Sequence, residues 1–274
     1  MKLLHDFLRT HAAGGFITLS NQEAAVMKFG LSFIQVEEVI LSMDLLPERY
    51  KKNQKTISGQ QQLRLFKSCA AAIGCGGLGG YIIEELARIG IGRIICIDPD
   101  VFVEHNLNRQ LYATLTTLGG SKVAAAAQRV RGINPAVTVI PLQKAFSKDN
   151  GTDLLTRALV VMDALDSIPM RLVVADVCES MNIPLIHGSI AGWYGQVTTQ
   201  YPGDRTLQKL YSGYTSEKGV ETELGNPSFS PALVASLQVA EAVKVLLGEG
   251  TTLRGRLLSI NLYDMEIVDM SIEG

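Results

Sequence analysis

A glycine-rich stretch at residues 74–80 has the spacing that is typical of nucleotide-binding loops. Gly74, Gly76 and Gly79 form the pattern G-x-G-x-x-G, directly after an apolar run and before a segment with helical spacing. Glycines allow a tight turn and a close approach of the backbone to phosphate, and the helix N-terminus offers free N–H groups. Asp98 ends the next apolar run, where a carboxylate accepts hydrogen bonds from ribose hydroxyls. The pattern predicts a nucleotide site, and these residues alone leave NAD and ATP open.

Five polar or charged residues follow this acid, namely Asp100, Asn106, Arg109, Gln110 and Lys122. The first four come soon after the apolar run, at the edge where such sheets bind ligands. Lys122 begins a segment with helical spacing, where the helix dipole opposes a cation unless an anion lies nearby. Two cations beside a nucleotide favour a polyphosphate, because nicotinamide chemistry needs no second cation near the phosphates. Plain surface positions for the arginine and the lysine are the alternative.

Two further acids, Asp163 and Asp166, follow a later apolar run. A carboxylate next to a triphosphate is a natural ligand for magnesium, which prefers oxygen atoms. Asp166 also precedes a segment with helical spacing, so a helix N-cap is the alternative interpretation of that residue.

The segments that position these residues alternate between strands and helices from residue 65 onward. Strands are predicted at 67–74, 93–98, 137–142, 158–164, 184–189, 195–201, 256–264 and 266–272, and helices at 79–89, 121–131, 170–181 and 231–248. This alternation predicts an α/β fold with a doubly wound, mostly parallel, Rossmann-like sheet. The last two short strands are predicted to form an antiparallel C-terminal end.

Residues 1–55 are predicted to form a helical N-terminal arm, and residues 56–274 the Rossmann-like domain. Ser20, with Glu23 three residues later, is typical of a capping box, and a second helix is predicted at 33–43. A DNA-binding helix-turn-helix is one interpretation of this pair. The second helix, however, contains two glutamates and no lysine or arginine to meet phosphates, which favours a packing or docking arm.

The long polar segment at residues 202–229, here the crossover loop, is rich in Gly, Ser and Thr. A compact domain rarely contains such a loop without a functional reason. We therefore expect it to contribute to the site.

Composition restricts the class of protein. The chain has 274 residues, of which 47% are hydrophobic, and a formal net charge of −2, which gives no electrostatic case for a nucleic acid or an anionic membrane as partner. Asp6 and Arg9 interrupt the first apolar stretch, so no export signal is predicted. No run of 18 apolar residues is present to span a membrane. The four cysteines match no disulfide framework or C-x-x-C metal site, which predicts a reducing, cytoplasmic setting.

Four segments, IGCGGLGG, IDPDVFVEHNLNRQ, GGSKVAAAA and DALDSIPMR, resemble the ThiF/MoeB/HesA family in their order and spacing. The resemblance covers roughly residues 46–264 and is most specific in the N-L-x-R-Q block at 106–110. These bacterial relatives of the ubiquitin-activating enzymes adenylate the C-terminal glycine of a small ubiquitin-like sulfur carrier. The resemblance therefore implies an adenylyltransferase that uses ATP and magnesium and acts on a carrier ending in Gly-Gly.

The resemblance also implies a role for each matching residue. The nucleotide would be bound by Gly74, Gly76, Gly77, Gly79, Asp98, Asp100, Asn106 and Gln110, and the catalytic residues would be Arg109, Lys122, Asp166 and Lys52. Asn106, Arg109 and Lys122 would contact the phosphates, and Asp166 would bind magnesium. Lys52, in RYKKN, is at the place of an arginine that family members supply from the partner subunit, which implies a homodimer.

Departures from the family pattern narrow the expected chemistry. The two C-x-x-C pairs that bind zinc in many members are missing, so we expect no zinc. The crossover loop contains no cysteine, so covalent transfer on this protein is not expected. The expected product is sulfur in a cofactor of the molybdenum, tungsten or thiamine type. The alternatives are adenylation of a small carboxylate on tRNA, a non-catalytic nucleotide-binding scaffold, and an NAD-dependent dehydrogenase.

Overall fold

The computed structural model describes residues 1–213, 219 and 221–272. Its helices are α1 Lys2–Thr10, α2 Leu19–Phe29, α3 Phe33–Ser42, α4 Gly59–Lys67, α5 Gly77–Ile89, α6 Lys122–Ile133, α7 Lys148–Leu155, α8 Ile168–Met181, α9 Thr206–Leu210, α10 Glu221–Leu224 and α11 Phe229–Leu247, with 3-10 helices at Glu48–Asn53 and Glu104–Asn106. Its strands are β1 Phe16–Ile17, β2 Leu46–Pro47, β3 Cys69–Ile73, β4 Arg93–Ile97, β5 Thr138–Leu142, β6 Val160–Asp163, β7 Leu185–Ala191, β8 Tyr194–Gln200, β9 Arg256–Asn261 and β10 Glu266–Ser271.

Eight of these strands form one sheet in the order β10-β9-β8-β7-β6-β3-β4-β5. The strands from β7 to β5 in this order are parallel, and β8, β9 and β10 add antiparallel pairs at the other side. The predicted α/β fold with a mostly parallel sheet and an antiparallel C-terminal end is therefore confirmed. Because β3 pairs with both β4 and β6, the chain changes direction across the sheet at β3, and ligands bind at such switch points.

Helices cover both faces of the sheet, as the side chains of β3 show. Ala70 and Ala72 belong to one buried apolar cluster, which includes residues of α5, α6 and α11. Ala71 and Ile73 belong to a second cluster on the opposite face, which includes residues of α7 and α8. This alternation follows from the two-residue period of a strand, and it explains why β3 reads as a continuous apolar run. Packing in these two clusters holds the strands in place, and with them the carboxyl edge of the sheet.

One helix of the described chain, α11, is long and apolar enough to cross a membrane. More than half of its most apolar window is buried, and it packs on α5 and on strands β7 and β8. It therefore forms part of the core of this fold.

The N-terminal arm differs from its prediction in two details. The cap of α2 is Thr18, whose hydroxyl accepts a hydrogen bond from the Asn21 N–H at 3.3 Å, so the predicted capping box of Ser20 and Glu23 is wrong. The helix starts two residues earlier than predicted, because Thr18 is the last extended residue and Ser20 is already helical. The arm is also not wholly helical, since β1 and β2 pair in parallel.

A buried polar group inside this arm is hydrogen-bonded to the rest of the chain through Tyr50. The buried Glu37 carboxylate accepts hydrogen bonds from the Arg49 guanidinium and, at 2.8 Å, from the Tyr50 hydroxyl. The Asn134 side chain, at the end of α6, donates to the same hydroxyl at 2.8 Å. Burial raises the pKa of Glu37. The glutamate that argued against DNA binding is therefore an internal anchor of the arm.

Candidate nucleotide site

A cavity of about 520 Å³ lies at the carboxyl ends of β3, β4 and β6. Its wall includes nine of the predicted site residues: Gly74, Gly76, Gly77, Asp98, Asp100, Arg109, Gln110, Lys122 and Asp166. Three others, Gly79, Asn106 and Lys52, are not among its lining residues. The tertiary structure therefore brings most of the predicted set to one cavity, at the switch point of the sheet.

The glycine loop forms the floor of this cavity. Gly74 has a φ of +91°, a conformation that disfavours any side chain. A Cβ at Gly79 would lie 1.9 Å from the Gly74 carbonyl oxygen, so this glycine allows α5 to pack on the loop. At Gly76, a Cβ would lie 3.3 Å from the Gln110 side chain, and here a missing side chain leaves space in the cavity. The glycine that lets the helix pack and the glycines that face the cavity are therefore different residues.

Asp98 joins the loop to the next strand. Its two carboxylate oxygens accept hydrogen bonds from the Cys75 N–H at 2.6 Å and the Asp100 N–H at 2.8 Å. Burial raises the pKa of Asp98, while these backbone bonds and Lys122 act in the opposite direction. Each oxygen retains a second lone pair, which can accept a hydrogen bond from a ligand hydroxyl.

Lys122 lies at the first position of α6 with only 6% of its surface exposed. Its ammonium is 2.8 Å from the Asp100 carboxylate and 4.0 Å from that of Asp98. These two acids supply the anion that a cation at a helix start requires. Asp100 is largely exposed, so a bound phosphate would compete with it for this ammonium.

Of the three predicted site residues in the block at 106–110, two face the cavity and one does not. Arg109 donates from Nη1 to the His105 carbonyl at 3.2 Å and to Asn108 Oδ1 at 2.9 Å. Gln110 is buried, and its Oε1 has no hydrogen-bond partner within the described part of the chain. Asn106 is buried as well, and its Oδ1 accepts from the Val103 N–H at 3.0 Å. That amide supports the local turn, outside the cavity wall.

Asp166 lies in the turn between β6 and α8, exposed at the edge of the cavity. Its carboxylate makes no hydrogen bond or ion pair with any described residue. The cap position of α8 is Ser167, so the interpretation of Asp166 as a helix N-cap is wrong. The other acid, Asp163, is fully buried, and its carboxylate faces His187 instead of the cavity.

Sequence reasoning missed several polar residues near the site. Lys144, Thr222 and Asn226 line the cavity, and two of them come from the crossover loop. Arg171 also lines the cavity and His187 is buried behind it, both in segments that read as apolar core. The available signal was a charged or titratable side chain inside an otherwise apolar run. Such groups are buried only when they are paired, so each one indicates a polar contact in the interior.

The four cysteines are buried as free thiols. A hydrogen bond with the Cys96 thiol, and then burial, raises the pKa of Cys75, while burial raises the pKa of Cys178 to about 12. Thiols with raised pKa values are poor nucleophiles at neutral pH. Among the residues that the structure describes, no three His, Cys, Asp or Glu side chains are grouped as metal ligands, and the absence of zinc stays a prediction.

We expect each cysteine to be dispensable for adenylate formation. Replacing any one of them by alanine should leave ATP–pyrophosphate exchange within a few-fold of the wild-type rate, because these thiols act as small apolar side chains. The measurement is the exchange rate of each purified variant, with circular dichroism as the control for folding. Complete loss of exchange in a folded Cys178→Ala protein would contradict this expectation.

Comparison with known proteins places this geometry in a family. The model of the ThiF family matches residues 50–273. The chain belongs to the ThiF family. The resemblance seen in the sequence is thereby confirmed, and with it the assignment as an adenylyltransferase of the E1-like type.

Several ThiF relatives are similar over most of the chain. The SAMP-activating enzyme E1 of Haloferax volcanii is 36% identical over 82% of this chain and 85% of its own length. A sulfur carrier protein adenylyltransferase of Thermus thermophilus is 32% identical over 76% of this chain and 79% of its own length. The adenylyltransferase and sulfurtransferase MOCS3 of Xenopus laevis is 30% identical over 78% of this chain, which spans 48% of that protein.

Solved structures show the same fold. Escherichia coli MccB, crystallised with MccA-N7isoASN, has a TM-score of 0.70 at 20% identity and covers 92% of this chain and 82% of its own. PaaA has a TM-score of 0.68 at 21% identity and covers 82% of this chain and 73% of its own. At these identities the likeness concerns the fold alone.

Proposed function

We propose that this ThiF-family chain uses ATP to adenylate the C-terminal glycine of a small ubiquitin-like sulfur carrier that ends in Gly-Gly. The observation that carries the proposal is the single cavity where the glycine loop, Arg109, Lys122 and Asp166 meet. The open N-terminus of α5, two cations and an acid that has no partner among the described residues suit a triphosphate. The names of the relatives, which refer to sulfur carriers and SAMP activation, support the same class of substrate.

The residues of the cavity fit ATP in three respects. Gly76 and Gly77 leave the backbone open at the start of α5, where N–H groups bind phosphate. The Oε1 of buried Gln110, which has no partner among the residues that the structure describes, can accept a hydrogen bond from the ligand. Asp98 offers lone pairs to ribose hydroxyls. Buried polar groups are normally paired, so the open acceptor of Gln110 is consistent with a ligand at this place.

The reaction needs little covalent work from the protein. The carboxylate of the carrier attacks the α-phosphate, the bond from that phosphorus to the bridging oxygen breaks, and pyrophosphate leaves with the electron pair. Arg109 and Lys122 stabilise the negative charge that develops, and Lys52 of a partner subunit adds a third cation in a homodimer. No side chain acts as a nucleophile, and a separate protein adds the sulfur.

Asp166 is the residue that would bind magnesium. Its carboxylate is exposed, lines the cavity and has no partner among the described residues. When bound, magnesium neutralises phosphate charge. The role of Asp166 depends on where its carboxylate lies, and that position is set by the turn that contains the residue.

An aromatic surface next to the cavity supports docking of the carrier. The Trp193 ring lies 4.5 Å from that of Phe229 and 5.6 Å from that of Tyr263, measured between centroids, and all three rings are exposed. The neighbouring residue Gly192 donates to the Gly225 carbonyl at 2.7 Å, beside cavity-lining Asn226. A carrier bound to these rings would have its C-terminal tail at the entrance of the cavity.

The sulfur product is a cofactor of the molybdenum, tungsten or thiamine type, formed in the cytoplasm.

The test is ATP–pyrophosphate exchange with magnesium and a ubiquitin-like carrier encoded by the same genome. We expect exchange with the intact carrier and none with a carrier that lacks its terminal Gly-Gly. Binding of ATP without any exchange would indicate a scaffold. Exchange that requires tRNA and a small carboxylate instead would indicate the tRNA-directed alternative.

A further inference from the structure

Four polar side chains, three of them buried and one half-buried, form a connected group at the inner side of the cavity, here called the Tyr211 cluster. It consists of Asp163 at the end of β6, Arg171 in α8, His187 in β7 and Tyr211 just after α9. The His187 Nδ1 lies 2.6 Å from the Asp163 carboxylate, and its Nε2 lies 3.0 Å from the Tyr211 hydroxyl. Arg171 Nη1 donates to that hydroxyl at 2.9 Å. Four elements of the fold therefore meet at these side chains.

With a neutral His187 ring, donor and acceptor chemistry sets the direction of each hydrogen bond in the cluster. An arginine only donates and a carboxylate only accepts, so Arg171 donates to Tyr211, which donates to His187, which donates to Asp163. Burial lowers the pKa of His187, in agreement with a neutral ring that donates from Nδ1 and accepts at Nε2. Asp163 and His187 are fully buried, so water cannot replace a lost partner easily.

The cluster forms hydrogen bonds with the turn that contains Asp166. Arg171 donates from Nε and Nη2 to the Leu165 carbonyl, at 3.2 and 2.7 Å. Asp163 Oδ1 accepts from the Leu165 N–H at 3.0 Å. The backbone N–H and C=O of Leu165, the residue before Asp166, are thus both bound by cluster members. These hydrogen bonds fix the peptide group that leads into Asp166.

The cluster also reaches the crossover loop. Tyr211 belongs to that loop, and Thr222 and Asn226 of the same loop line the cavity. Asn108 donates to the Asn226 carbonyl at 3.0 Å, next to the Arg109 it also contacts. Two described residues of the loop are therefore attached to the site, Tyr211 through Arg171 to the turn of Asp166 and Asn226 to the block that contains Arg109.

We propose that Tyr211 is a positioning residue that couples the first part of the crossover loop, residues 202–213, to the turn of Asp166, so that this contact raises the affinity of the site for magnesium-bound ATP. The inference rests on the proposed function for the identity of the ligand. In Tyr211→Phe the ring remains, while His187 loses a donor and Arg171 loses an acceptor in a buried environment. The turn of Asp166 then loses this connection to the loop.

The experiment compares nucleotide binding by purified wild-type protein and Tyr211→Phe in isothermal titration calorimetry. We expect the Kd for ATP with magnesium to rise about 10- to 100-fold, the effect typical of lost support around metal ligands. The Kd for AMP without metal should stay within about twofold, because AMP has no β- or γ-phosphate for the metal to join. Tyr201→Phe is the matched control: it makes the same change at the start of the loop, where the ring packs 5.1 Å from the Arg254 guanidinium.

An equal loss of affinity for AMP and for ATP with magnesium would overturn the inference, because a general structural defect weakens both. Hydrogen exchange of the wild-type protein gives a second measurement that does not depend on the variant. We expect ATP with magnesium, but not AMP, to slow exchange of amides in the crossover loop. Unchanged exchange would overturn the coupling. Neither the calorimetry nor the hydrogen-exchange experiment contains a carrier. A failure of carrier adenylation alone would therefore contradict the proposed function and leave this inference standing. A wild-type protein that binds no ATP would overturn both.

Discussion

Replacing Arg109 or Asp166 by alanine is expected to lower ATP–pyrophosphate exchange about 100- to 1,000-fold, the usual loss for one preorganised charge contact. Both side chains line the cavity, and neither belongs to the apolar core. Asp166 has no described partner, so its removal should leave stability within about 0.5 kcal/mol of wild type. The loss should therefore appear in the rate and not in the free energy of unfolding.

The measurements are the exchange rate and urea unfolding of each variant. Arg131→Ala and Asp153→Ala are matched controls, because both residues are exposed on helices outside the cavity wall. They should retain wild-type exchange. Full activity of Asp166→Ala would show that another acid at the cavity, such as Asp100, binds the magnesium.

The second large effect concerns Lys52, which is expected to act in the active site of a partner subunit. Lys52→Ala alone should be nearly inactive, and so should Arg109→Ala alone. In one chain Lys52 is exposed on the 3-10 helix Glu48–Asn53 and does not line the cavity. A two-fold dimer uses the same surface twice, so each site would borrow this lysine from the other subunit.

Mixing the two inactive proteins under conditions of subunit exchange tests this expectation. Random pairing makes about half of the dimers mixed, and each mixed dimer has one site with both residues intact. Recovery should therefore approach about a quarter of wild-type exchange. Lys67→Ala, mixed with Arg109→Ala, is the control for a lysine outside the cavity wall. If the mixture stays inactive although labelled subunits demonstrably exchange, Lys52 does not act in trans and the alignment of RYKKN with the family arginine is wrong.

The segments that form the sheet could be predicted because their signals are local. The apolar runs around β3, β4 and β6 are continuous, as strands covered on both faces require. The G-x-G-x-x-G pattern then marked the turn into α5, and its position after a strand gave the edge of the sheet where polar residues would collect. Helix α4 was missed, although Ser58 and Gln61 form the capping box that could have revealed it.

By itself, the sequence determined the fold class, the family, and the stretches that supply the site. Only the tertiary structure decided which side chains of those stretches face the cavity. Gly76 faces it while Gly79 lets α5 pack, and Asp166 faces it while Asp163 is buried. The reason is that a side chain's direction depends on the path of its turn, and that path is set by packing and hydrogen bonds with segments distant in sequence. The Tyr211 cluster shows this most directly, since its members become neighbours only when four elements pack together.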